Sequence, residues 1–157
     1  MEGKRRYAVI IKNMTSLKKV MNDALIMGLD VVGEKVQEEI TKFITLWYQD
    51  YTPTRYKRTY QFLNSCTRTL PERNGKGWRV IVYIDTETMK YRDSEGDEIN
   101  PYNVLVNADK GIHGGEFGVY GNEERGFWDI AIEEMKQNKF ILSQFKLWLI
   151  SAGFTVK

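Results

Sequence analysis

Residues 17–48 set the first constraint on what this chain can become. Leu29, Val32, Val36, Ile40, Phe43 and Trp47 recur every three or four positions, while Glu34, Lys35, Gln37, Glu38, Glu39 and Lys42 fill the places between them. That period belongs to an α-helix with one apolar stripe and wet flanks. Its first half, "KKVMNDALIMGLDVVG", is apolar nearly all round and must pack against something, with another subunit among the candidates. Gly28 and Gly33 fall inside it, and each weakens a helix by roughly 1 kcal/mol relative to alanine. A kink, a break or two successive helices is therefore expected near either. Thr15 or Ser16, in "NMTS", offers a side-chain oxygen to cap the start.

The rest of the chain reads as strands and then a second helical block. "RRYAVIIK", residues 5–12, is short and β-branched, hence a strand before the long helix. After Pro53 comes "CTRTL" as a strand, "PERNGKG" as a turn, and "WRVIVYIDTETMKYR" as the central strand. In that last run Trp78, Val80, Val82 and Ile84 alternate with Arg79, Ile81, Tyr83 and Asp85. "DSEGDE" has the polarity of a hairpin end or a mobile loop, and 102–106 is a short apolar piece. Six glycines between Gly111 and Gly126 predict an irregular loop. "FWDIAIEEMKQNKFILSQFKLWLISAG" is an amphipathic C-terminal helix whose end Gly153 suits. The expected architecture is α+β: an antiparallel sheet packed against the long N-terminal helix, kinked or broken, and a C-terminal helix. With 42% hydrophobic residues in 157, residues 1–157 are expected to form one domain.

Composition removes several function classes. The chain has 23 basic and 21 acidic residues, a net charge of +2, which disfavours a general polyanion binder. One cysteine, Cys66, forbids an internal disulfide and leaves a thiolate zinc site without ligands. Cys66 beside a predicted strand reads as a small buried side chain. His113 is the only histidine, set in "GIHGGEFG" beside Glu116. A proton carrier needs a nucleophile or acid in reach, and adjacency in sequence supplies no geometry. A small hydrolase or toxin-like enzyme using His113 with Glu116 is the third-ranked reading. The acidic run 85–98 lacks the alternate oxygens and late glutamate of a calcium loop. No catalytic residue, cofactor or metal is expected. The opening residues carry charge but too short an apolar run for a signal peptide, and no run approaches a membrane span, so synthesis in a cytoplasm is expected.

"YTPTRYKRTYQFLNS", residues 51–65, holds cations and aromatics together on a stiff elbow. Pro53 fixes its own φ and pushes Thr52 out of the helical region. As a nucleic-acid grip, Arg55, Lys57 and Arg58 would take phosphates and Tyr56 or Tyr60 would stack on bases. As a docking surface, the same Arg and Tyr residues suit a protein interface. The nucleic-acid module is the alternative reading of the chain's function.

The order of these segments resembles the tail-completion or neck proteins of long-tailed phages, the head–tail joining and minor structural proteins. In that family a helix ends in a Pro-x-(Arg/Lys)-Thr-Gly-like turn, followed by an "L-x-x-S" element, a strand pair, a glycine-ended segment and a Phe-led terminal helix. Pro53, Arg58, Thr59, Leu63, Ser65, Gly111 and Phe127 occupy the corresponding places. Two departures stand out: Tyr60 replaces the usual glycine, and extra residues separate Pro53 from Arg58. The resemblance covers the chain from about Leu29 onward. It implies a virion structural protein that assembles with itself, as a ring, and with other phage neck or tail proteins. DNA would meet it only in passage, and no membrane is involved. On that reading Pro53, Arg55, Tyr56, Arg58 and Tyr60, with His113 and Glu116, form a subunit interface.

Overall fold

The computed structural model describes residues 13–50, 59–93, 95–109 and 127–156, with side chains at 47–50 and 107–109 left out. The strand expected at 5–12, the Pro53 turn and the glycine-rich run 111–126 lie outside the described residues.

Helix α1, Met14–Asp50, is continuous over 37 residues. Its cap is neither Thr15 nor Ser16 acting as first residue, but Asn13. The Asn13 Oδ1 accepts the Ser16 N–H at 2.9 Å, and Ser16 Oγ accepts the Asn13 N–H at 3.1 Å. Two orphan donors are thus satisfied reciprocally, with Ser16 in the third helical position. Gly28 and Gly33 do not break the helix. Each sits where another element comes too close for a side chain: Phe145 and Trp148 at Gly28, Val80 at Gly33. The propensity lost at each glycine is offset by the packing that it admits.

The strands form three antiparallel two-stranded ladders among the described residues. β1, Cys66–Arg68, pairs with β4, Val82–Ile84; β2, Glu72–Asn74, with β3, Gly77–Arg79; and β5, Tyr91–Arg92, with β6, Glu98–Ile99. The expected continuous strand over 78–92 is therefore corrected: it is split into β3, β4 and β5. Its alternation nevertheless persists across the first break, with Trp78, Val80, Val82 and Ile84 half-buried and Arg79, Ile81 and Tyr83 exposed. What changes at Val80 is the hydrogen-bond partner. Thr69 bridges the change, its N–H donating to the Ile81 carbonyl at 2.9 Å and its Oγ1 accepting the Ile81 N–H at 3.1 Å. "DSEGDE" does close a hairpin, between β5 and β6.

Two further elements differ from expectation. The apolar piece at 102–106 belongs to a helix, α2, Pro101–Asp109. Asn100 starts it by accepting the Tyr102 N–H on its side chain at 3.0 Å. The C-terminal helix is two: α3, Phe127–Gln137, and α4, Phe140–Ser151, divided at Lys139 with φ 49. α4 ends as expected at Gly153, whose φ is 92. The Phe154 N–H reaches the Leu149 carbonyl and the Gly153 N–H the Ile150 carbonyl, a Schellman pattern.

One core joins these pieces. Ile40 and Ile44 of α1 are 1% and 0% exposed, and they gather with Phe62, Cys66, Met89, Phe127, Ala131 and Met135. Each such large side chain contributes roughly 1.5–3 kcal/mol of burial. Phe62 meets Phe127 edge-to-face at 5.4 Å. Polar ties fix the ladders along α1: Trp78 Nε1 donates to Asn22 Oδ1 at 2.9 Å, Arg68 pairs with Asp30, and Gln37 Nε2 donates to the Cys66 carbonyl at 2.8 Å.

Candidate assembly surface

Of the sequence-predicted interface residues, Pro53, Arg55, Tyr56, Arg58, His113 and Glu116 lie outside the described residues. Tyr60 is described and exposed, with φ 56 in the left-handed region. It is the same residue that stands where the resembling family carries glycine, the residue this backbone favours. The segment after it is an anchor. Phe62 is in the core, Ser65 is buried with its hydroxyl donating to the Phe62 carbonyl at 2.7 Å, and the Gln61 side chain holds the Lys90 backbone from both sides. The aromatic content of 51–65 is thus divided, Phe62 inward and Tyr60 outward.

The larger surface lies elsewhere. On α1, Met14, Lys18, Met21, Leu25, Gly28 and Val32 follow one another at alternating steps of four and three, which puts them on one seam. α4 fills the seam at Gly28 with Phe145 and Trp148. Further toward the helix start the seam is open: Met14, Met21 and Leu25 are 65, 60 and 39% exposed. α4 carries a second stripe at the same steps, Ser143, Leu147 and Ile150, on the side away from Phe145 and Trp148, and Phe154 follows beyond the Gly153 stop. Leu147, Ile150 and Phe154 are 59, 57 and 40% exposed, and no residue of α4 is buried. A helix apolar all round is ordinarily covered all round. Sequence reasoning took 127–153 as one amphipathic helix and did not single out these side chains; the signal it passed over was that "FILSQFKLWLI" has few polar positions.

A smaller apolar groove of about 310 Å³ opens between β4, α2 and the start of α3, lined by Ile84, Tyr102, Leu105, Phe127 and Trp128 among others. Chemistry-bearing side chains do not converge there. Among the described residues there is no group of three or more His, Cys, Asp or Glu that could hold a metal, and no helix is long and apolar enough to cross a membrane. Cys66 is buried, and desolvation pushes its thiol up from the ordinary 9.0, against the smaller opposite pull of a Thr41 hydrogen bond. A thiol so placed is protonated near neutral pH and is a poor nucleophile.

The YomN family model matches residues 10–151, from just before α1 to the end of α4. The chain belongs to the YomN family. The match takes in every described helix and ladder, so the YomN unit is the fold set out above. YomN is a phage-derived family of the Bacillus prophage type. No curated protein and no solved structure matches the chain.

Proposed function

We propose that this YomN-family chain is a virion structural subunit of a tailed phage, acting in the neck or in tail completion by fitting against copies of itself and neighbouring virion proteins. The observation that carries this reading is the open seam of α1 and outer stripe of α4, where Met14, Met21, Leu25, Leu147 and Ile150 stand 39 to 65% exposed. Large apolar side chains left open in stripes on two helices are what a contact site presents. The phage-derived family and the left-handed backbone at Tyr60, a glycine place in the resembling neck proteins, support the same reading.

Deleting the gene from its phage or prophage and imaging the particles by electron microscopy tests the role. Expected are filled heads and tails that do not join, with the protein present by mass spectrometry in purified wild-type particles. Normally joined particles lacking the protein refute the role. Replacing Arg58 and Tyr60 together by alanine is expected to lower its incorporation, since both belong to the proposed docking elbow.

A further inference from the structure

We propose that the open seam of α1 and the outer stripe of α4 together form a two-fold self-interface, in which each copy's α4 lies between its own α1 and the α1 of a second copy. The proposal rests on the self-assembly in the reading above and names the surface that performs it.

Three features point to a second copy as occupant. The seam Met14–Lys18–Met21–Leu25 continues the one that already receives α4 at Gly28, so its free part has the spacing to receive another helix of that kind. The stripe Ser143–Leu147–Ile150 has the same steps and faces away from the first α1. α3 lies in the core with Ile40 and Ile44 while α4 lies on Gly28, so the C-terminal chain descends α1 toward its start. The open seam therefore lies beyond α4 on the side where α4 already sits. A two-fold rotation then sets the seam of one copy on the stripe of the other, twice, and closes.

The area is of the right size. Met14, Met21, Leu25, Leu147 and Ile150 stand about half exposed, on the order of 500 Å² of apolar surface per copy. A standard interface takes roughly 800 Å² from each partner, a little over half of it non-polar. One such face thus supplies the apolar part of one dimer interface. Lys18, inside the seam, can lay its stem on the contact and keep its ammonium in water. Pairing of this kind stops at two copies, so a ring would need a further, different contact.

The test uses the purified full chain in light scattering across a concentration series. Wild type is expected at twice the chain mass, and both Leu147→Glu, on the stripe, and Met21→Lys, on the seam, at half that value with unchanged far-ultraviolet circular dichroism. Met27→Glu alters an exposed side chain of α1 that is off the seam, and is expected to stay dimeric. A wild-type chain that is monomeric throughout overturns the proposal and leaves the face to a different protein. Dimeric Leu147→Glu and Met21→Lys variants also overturn it, as does a monomeric Met27→Glu. A dimer in solution with no protein in phage particles removes the virion role but leaves the interface standing.

Discussion

Gly28 lies directly beneath the ring of Phe145, with Trp148 Cε3 2.8 Å from where its Cβ would be. The contact joins the middle of α1 to α4 through a position that has no side chain.

Gly28→Ala is the first prediction. Alanine improves helix propensity by about 1 kcal/mol, but here it drives a methyl into two rings. Overpacking of this kind costs roughly 1–3 kcal/mol, so a net loss of stability is expected in urea unfolding. A stabilised variant would show that α4 does not sit on Gly28.

Gly33 repeats the arrangement with an aliphatic neighbour, Val80 Cγ1 lying 2.5 Å from the missing Cβ. Gly33→Ala is expected to cost roughly 1–3 kcal/mol. In a double-mutant cycle with Val80→Ala, the two losses should fall short of adding by about 0.5 kcal/mol or more, because truncating Val80 makes room for the methyl added at position 33. Simple additivity would mean that the pair does not touch.

At Tyr60 the backbone is left-handed, with φ 56. A non-glycine residue there costs roughly 1–2 kcal/mol, partly returned by its lower entropy in the unfolded chain. Tyr60→Gly is expected to raise stability by about 0.5–1 kcal/mol, and Tyr60→Ala is not. Equal effects of the two changes would dismiss backbone strain as the cause.

Stability should fall on the alkaline side. Burial raises the Cys66 thiol above its ordinary 9.0 in the folded chain, so the folded state keeps a proton that the unfolded state releases. The thiol's contribution is complete below the ordinary value and is lost as pH climbs through the folded one. Tyr91, raised from 10.0 mainly by desolvation, adds a loss of the same sign at higher pH. Urea midpoints measured from neutral pH to above pH 10 should decline in wild type. Cys66→Ala should flatten the earlier part of the decline and Tyr91→Phe the later part; a profile unchanged in Cys66→Ala refutes the assignment.

Local pattern by itself determined the long helix, the β1 strand, the β5–β6 tip and the Gly153 stop, because each rests on the chain's own periodicity or on residues with special backbone freedom; of the turn expected over 71–77 only 75–76 turns, since 72–74 are β2 and Gly77 begins β3. It also gave the faces of Trp78, Val80, Val82 and Ile84, since alternation is intrinsic to extended backbone. Tertiary structure decided what depends on partners distant in sequence. Gly28 and Gly33 looked like breaks until Phe145 and Val80 were found against them. The run 78–92 looked like one strand until its ladder partner changed at Val80. Leu147 counted only as an apolar position of an amphipathic helix until α4 was seen to turn its Phe145–Trp148 side to α1 and leave Leu147 exposed. Apolar spacing says which side chains shun water; only the packed arrangement says which of them the chain can cover by itself.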